Sequence, residues 1–287
     1  MKSLRTLHFH DVVYKDSESV RNLFCSCPNL EHLVLHRVYS HGVELNFVIE
    51  APSLKTLSLY GKSYGQKDDE YVINAPSLKY LSIEWLQSCD FFLIENASEL
   101  VEADVRNVSA VANETILGSL SSAKRLYLDL SPLQITNPTG FIFYRLLYLE
   151  MCTHKMEWWN LLTAMLDSSP KLQVLKLIDH SSHRPSLIYD KKKRDEGEWN
   201  RPEYVPECLL SHLETFVWTR HDWIREEEKE VARYILSNAR QLKKATFYID
   251  PIESRKHFEL AKRRKMLDEL PAVVRASGSC DLVIELE

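Results

Sequence analysis

Four histidines stand at even spacings in two similar segments, His8 and His10 in SLRTLHFH and His32 and His36 in NLEHLVLH. Between them lie Cys25 and Cys27. Imidazoles and thiolates are zinc ligands, and strand geometry places His10 and His36 side by side on neighbouring strands, about 4.8 Å apart. The order C-x-C-P followed by two strand histidines matches no standard zinc spacing, however, and Cys27 precedes Pro28, a turn position where small residues are ordinary. The sequence therefore predicts no metal and no cofactor. A second set, Asp179, His180, Ser181 and His183, holds the acid, imidazole and hydroxyl of a hydrolytic triad. It falls in a polar stretch with no oxyanion donors suggested nearby, so no catalytic residue is assigned and the chain is read as a non-enzyme. The basic run Lys191 to Arg194 has the composition of a nuclear import signal. Asp195, Glu196 and Glu198 offset it, and the reading adopted is a solvated loop. Trp158-Trp159 is read as helix packing.

Composition narrows the function classes further. The 287 residues carry a net charge of −5 and include 7 glycines, about a third of the usual share. No GxGxxG, Walker-type loop or GxSxG occurs, so the common phosphate cradles and the nucleophile elbow are missing. An acidic chain lacks the excess of Lys and Arg that nucleic-acid binding needs. No uncharged apolar run reaches membrane-spanning length, and Met1 to His10 does not read as a signal peptide. The expectations are a cytoplasmic or nuclear protein with free thiols, unused sequons at Asn96, Asn107 and Asn113, and no nucleic-acid or membrane partner. Leucine, at 41 residues, is the abundant type.

Those leucines repeat. Segments SLRTLHF from Ser3, NLEHLVL from Asn29, SLKTLSL from Ser53 and SLKYLSI from Ser77 share L-x-x-L-x-L. Degenerate copies follow near Glu99, Ala123, Tyr144, Lys171, His212 and Gln241. Taking Leu7, Leu33, Leu57, Leu81, Ala103, Leu126, Leu147, Leu175, Phe216 and Ala245 as the central residues, the spacings are 26, 24, 24, 22, 23, 21, 28, 41 and 29. The first six lie in the leucine-rich-repeat period. Alternation puts the leucines on one strand face, and one repeat cannot bury that face alone, so stacking in parallel is required. The predicted fold is an α/β, irregular leucine-rich-repeat solenoid, with parallel strands on the concave side and short helices and loops on the convex side. The Asn or Cys that usually follows L-x-L is missing near Val12, Val38, Lys62 and Leu86, which predicts variable returns.

Helical returns are predicted in four places. Asp16 or Ser17 caps a helix carrying Val20, Leu23 and Phe24. Trp158, Leu161, Leu162, Met165 and Leu166 follow helical spacing before Pro170. Glu226 to Asn238 opens with four acids in five residues. A last helix includes Phe258, Ala261, Met266 and Leu267, ahead of a final strand Leu282 to Leu286. The repeat gap of 41 holds a charged loop, giving repeats over 1–179, a linker over 180–202 and a terminal unit over 203–287.

That terminal unit resembles the FBD domain of plant F-box/FBD/LRR-repeat proteins. The matching stretches are W-N-x-P-x-x-V-P-E-C-L-L-S-x-L-E from Trp199 to Glu214 and E-E-E-K-E-V-A-R-Y-I-L-S-N-A-R-x-L-K-K-A-T-F from Glu226 to Phe247. MKSLRTLHFHDVVYKD and CPNLEHLVL are similar to the repeat part of the same family. The resemblance implies the target-binding part of a substrate receptor of SCF-type ubiquitin ligases. In that family an F-box docks on the Skp adaptor. This chain begins inside the first repeat, so adaptor contact is not expected of it, and the alternative is a ligase-independent scaffold, decoy or truncated product. An uncapped first strand predicts poor solubility or a covering partner.

Alternation also predicts the binding face. It carries His8, His10, His32, His36, Tyr80, Asp104, Arg106, Arg125, Tyr127, Asp129, Tyr148, Glu150 and Lys176, with Thr56, Ser58 and Ser82 among them. Mixed charge and tyrosine suit protein recognition.

Overall fold

A computed structural model of the chain describes residues 1–12, 16–37, 46–61, 69–86, 89–108, 112–130, 141–153, 158–179, 199, 201–219, 226–249 and 264–286. The chain divides into two compact units, Met1–Leu146 and Leu147–Glu287. Both are parallel leucine-rich-repeat stacks of the predicted class.

In the first unit the L-x-x-L-x-L segments are strands β1 (Thr6–His10), β2 (His32–Arg37), β4 (Thr56–Gly61), β6 (Tyr80–Glu84), β8 (Glu102–Arg106) and β9 (Arg125–Asp129). They pair in that order, all parallel. The register aligns Leu7, Leu33, Leu57, Leu81, Ala103 and Leu126 in one row. From Leu33 onward the row is buried, as is the row beside it from Leu35 to Leu128. Each fully buried leucine contributes about 1.5–3 kcal/mol. A third row, Leu30, Leu54, Leu78 and Leu100, is buried at the turns. On β1, Leu7 and Phe9 are only half-buried, because β1 is the end strand of the sheet among the described residues.

The backbone reinforces this register. The carbonyl of Glu31, one residue ahead of β2, accepts the N–H groups of Lys55 and Thr56 at 2.8 and 3.1 Å. The carbonyls of Arg5, Lys55, Lys79 and Val101 do the same for the next repeat. The parallel ladder therefore starts at one level in every repeat, and a one-residue slip would expose a whole leucine row.

The returns depart from expectation in three repeats. Helix α1 (Ser17–Cys25) forms as predicted, capped by Asp16, whose carboxylate accepts the Ser19 N–H at 2.7 Å. Val20 and Phe24 are buried and Leu23 half-buried. The next three returns are strands: β3 (Asn46–Glu50), β5 (Asp69–Asn74) and β7 (Cys89–Glu95), a second parallel sheet. Their inward residues, Phe47 and Ile49, Tyr71 and Ile73, Phe92 and Ile94, are buried, with Phe47 and Tyr71 stacked at 4.8 Å. Aromatic and β-branched residues at period two favour strand over helix. A-P-S-L turns lead from β3 and β5 back to the long sheet: Leu54 and Leu78 donate to the carbonyls of Ala51 and Ala75 at 3.0 Å. Helix α2 (Ala112–Ser119) closes against β7, and the Ser119 hydroxyl accepts the Ile94 N–H at 3.1 Å.

In the second unit β10 (Tyr148–Cys152), β11 (Val174–Ile178), β12 (Thr215–Thr219), β13 (Lys244–Ile249) and β14 (Asp281–Leu286) run parallel in that order. The register pairs Leu149 with Leu175, so the seventh repeat is framed on Leu149 and Met151. Taking Leu147 as its centre was two residues early; Leu147 is exposed. The extra leucine of YRLLYL made both frames readable, and burial of Leu149 and Met151 decides between them. Helices form the returns: α3 (Trp158–Ser168) and α5 (Glu226–Asn238), each with the expected apolar face buried, and the short α4 (Glu207–Ser211), which was not expected. Residues 264–269 are helical; Met266 is buried but Leu267 is exposed, and Phe258 and Ala261 lie outside the described residues. Side chains here are larger. Phe216 meets Phe247 edge-on at 5.6 Å, Trp158 meets Trp218 at 5.6 Å, and Ala245 sits beside Phe216 where a second large residue would collide.

The W-N-x-P-x-x-V-P-E-C-L stretch is part of this packing. Trp199 Nε1 donates to Thr163 Oγ1 of α3 at 3.2 Å, and its ring meets Tyr234 of α5 at 5.3 Å. Arg201 lies 5.9 Å over the same tyrosine. Pro206 opens α4, and the Cys208 thiol donates to the Leu166 carbonyl at 3.4 Å. Burial pushes the Cys208 thiol up to about 12 and the Tyr234 hydroxyl up to about 12.

A Cβ at Gly61 would lie 2.6 Å from the Trp85 carbonyl oxygen, which is backbone and cannot swing aside. Gly61→Ala should cost about 1–3 kcal/mol in urea unfolding, against about 2–5 kcal/mol for Leu126→Ala; an unchanged midpoint for the glycine variant would contradict the close approach. Cys25 is exposed and Cys208 buried. Native protein should react rapidly with a disulfide reagent at Cys25, and at Cys208 only after unfolding. Because the folded Cys208 holds its proton to about 12 while a free thiol ionises near 9.0, stability should fall as pH climbs through that window. Cys208→Ala should flatten the slope.

Candidate protein-binding face

Every strand that buries its leucines turns the intervening residues to the other side of the sheet. In the first unit the register lines these up in three rows. One reads Thr6, His32, Thr56, Tyr80, Glu102 and Arg125; the next His8, Val34, Ser58, Ser82, Asp104 and Tyr127; the third His10, His36, Tyr60, Glu84, Arg106 and Asp129. All thirteen expected residues of this unit stand in these rows. Tyr80 is half exposed, at 50%. Asp129 is buried, so it offers little surface of its own.

The polar groups hold one another in place. Arg125 Nε lies 3.5 Å from Glu102 Oε2, its Nη2 donates to the Tyr127 hydroxyl at 3.0 Å, and its guanidinium lies 5.9 Å from that ring's centre. Arg106 Nε donates to Asp104 Oδ1 at 2.6 Å. His32 Nδ1 and Thr56 Oγ1 are 2.8 Å apart. At the rim Glu31 binds Arg5 at 3.2 Å and Lys55 at 2.8 Å. The Lys55 hydrogen bond holds the Glu31 carboxyl below its ordinary value, and the charges of Lys55 and Arg5 act in the same direction. Such pairs add little stability at a surface. They do fix side chains that would otherwise lose rotamer freedom on binding.

In the second unit the corresponding rows carry Glu150, Lys176, Lys244, Asp281 and Glu285. Tyr148 donates to Glu150 Oε2 at 2.8 Å, and Lys176 Nζ lies 3.4 Å from the same oxygen. In register, the row of Tyr148 continues through Val174, Thr215, Lys244 and Asp281, and that of Glu150 through Lys176, Val217 and Thr246. Alternation selects the three expected residues here, Tyr148, Glu150 and Lys176; Lys244, Asp281 and Glu285 obey the same alternation and were missed. Tyr60, Glu84 and Glu102 were missed in the first unit although the same alternation contains them, at i+2 or at the strand start.

The imagined cysteine and histidine cluster does not assemble. Cys27 is buried with the core below the sheet, and the strand histidines are on the opposite face. His180, Ser181, His183 and Lys191 to Arg194 lie outside the described residues. Among the described residues no helix is long and apolar enough to cross a membrane.

Comparison with known families agrees with the two patterns read from the sequence. The family model described as Leucine Rich Repeat matches residues 3–28, and the FBD model matches residues 201–247. An F-box/FBD/LRR-repeat protein of Arabidopsis thaliana is 62% identical over 288 residues, covering 100% of this chain and 62% of the relative. A second is 55% identical over 289 residues, covering 100% of this chain and 61% of the relative. An FBD-associated F-box protein of the same plant is 54% identical, covering 100% of this chain and 63% of the relative. The chain thus spans a little over three fifths of the length of the curated relatives it matches. No solved structure matches. Over its whole length the chain resembles the leucine-rich-repeat and FBD portion of the plant F-box/FBD/LRR-repeat proteins.

Proposed function

We propose that this chain is a non-enzymatic protein-interaction module, equivalent to the target-binding part of F-box/FBD/LRR substrate receptors of SCF-type ubiquitin ligases. The observation that carries this reading is the open face of the first unit's long sheet: tyrosine, arginine, histidine and carboxylate side chains in register across six strands, tied by mutual hydrogen bonds. A surface with fixed charges, exposed tyrosine and no enclosing walls suits another folded protein or peptide better than a small molecule. The face of Tyr148, Glu150 and Lys176 extends the reading to the second unit. In this reading the repeats over 1–179 and the FBD segment over 203–287 each offer binding surface, and 180–202 is the charged linker between them in sequence. Adaptor docking belongs to the F-box named in the relatives, and the protein acts in the cytoplasm or nucleus.

The test is site-specific photo-crosslinking. A photoreactive phenylalanine at Tyr80 should trap a protein that the same group at exposed Tyr204 does not. Once that protein is purified, Tyr80→Ala with Arg125→Ala should weaken its binding at least about 10-fold, the loss of one or two central contacts. Equal affinity for wild type and the double variant would remove this face from the proposal. Binding of purified Skp adaptor to this chain would favour a direct ligase role, and its absence the ligase-independent scaffold.

A further inference from the structure

We propose that His10, Asp11 and His36 form a binding site for a divalent transition-metal ion of the zinc class. The site lies where β1 and β2 leave the sheet, and it does not depend on the protein-binding reading. Register makes His10 and His36 direct neighbours. Their rings lie 4.4 Å apart, tilted by 30°. Asp11 then adopts a left-handed backbone, φ 52°, and its N–H donates to the His36 carbonyl at 3.0 Å. That turn brings the carboxylate back to the imidazoles: Asp11 Oδ2 is 3.2 Å from His10 Nε2. One ligand atom from each of the three residues lies within 4.8 Å of the others.

Two nitrogens and one carboxylate oxygen form a ligand set for zinc, nickel or copper, whereas calcium and magnesium require mostly oxygen. Ligand bonds near 2.0–2.1 Å require the three atoms to close in by roughly 1 Å or more. The side chains of His10 and Asp11 are 72% and 51% exposed, so both can turn without disturbing the core. His36 is fixed more firmly, flanked by the rings of His10 and Tyr60. Its Nδ1 is shielded from water and has no hydrogen-bond partner among the described residues, so an ion held through that nitrogen would satisfy it. Three protein ligands leave a coordination position for water or for a donor from a bound protein. The ion would also clamp β1, whose leucine and phenylalanine are the least buried of their rows.

The test uses the full chain and zinc itself. Calorimetric titration should give one zinc per chain with micromolar affinity, and zinc should raise the melting temperature. His10→Gln and His36→Gln should each weaken binding at least about 10-fold, because a first ligand is lost. Asp11→Asn keeps a residue that tolerates the left-handed turn, so its expected several-fold loss reports the carboxylate and not the backbone. Cobalt substitution gives a second readout, a visible ligand-field band that disappears in the histidine variants. Absence of saturable binding below about 100 μM, or wild-type affinity retained in the His10→Gln, His36→Gln double variant, would overturn the site. Should His36→Gln fail to fold, exposed His10→Gln decides alone.

Discussion

A single constraint runs through both units: the row of side chains that each parallel strand places on its core face must be covered by the next strand in the same register. The carbonyl one residue before the strand, in Arg5, Glu31, Lys55, Lys79 and Val101, catches two N–H groups of the following repeat and sets that level. Leu33 can be buried only because Leu57 lies beside it, and Leu57 only because Leu81 does. The opposite face inherits its geometry from this arrangement. Arg125 reaches Glu102 and Tyr127, and His10 reaches His36, because the leucines beneath them are aligned.

What covers the other side of the core differs between the units. In the first, three returns are strands whose aromatic and isoleucine residues form a second parallel sheet. In the second, helices do the same work, and the interior changes from leucine to Phe216, Trp218, Phe247, Trp158 and Trp199. The stretch that resembles the FBD family contributes many of these interior residues: Trp199 joins α3 to α5, and Cys208, on α4, is buried against α3. Its residue pattern reports packing requirements.

The returns show where reading the sequence ran short. Helical returns were expected in four places, and α1, α3 and α5 formed where Asp16, the tryptophan pair and the acidic run marked them. The strands β3, β5 and β7 were overlooked although NFVIEAPSL, EYVINAPSL and FFLIENASEL repeat a period-two pattern before a buried alanine. Their apolar runs are short and adjoin the stronger L-x-x-L-x-L signal, so period two there is easily taken as part of the neighbouring repeat. The seventh repeat was framed two residues early for a related reason: in YRLLYL three leucines satisfy two frames, and only neighbours across the sheet tell them apart.

Sequence by itself determined the strand period, the parallel stacking, the face on which each polar residue stands and the identity of the terminal segment. These follow from side-chain alternation and from the need of each leucine face for a neighbour, both local properties repeated along the chain. Tertiary structure alone decided which groups meet. The approach of Asp11 to His10 and His36 depends on a left-handed turn and a carbonyl in another repeat. The exclusion of Cys27 from that cluster depends on which side of the sheet it falls, and the burial of Asp129 depends on what packs around the end of its strand. Distances of this kind are set by residues far apart in the chain, and no spacing within one segment encodes them.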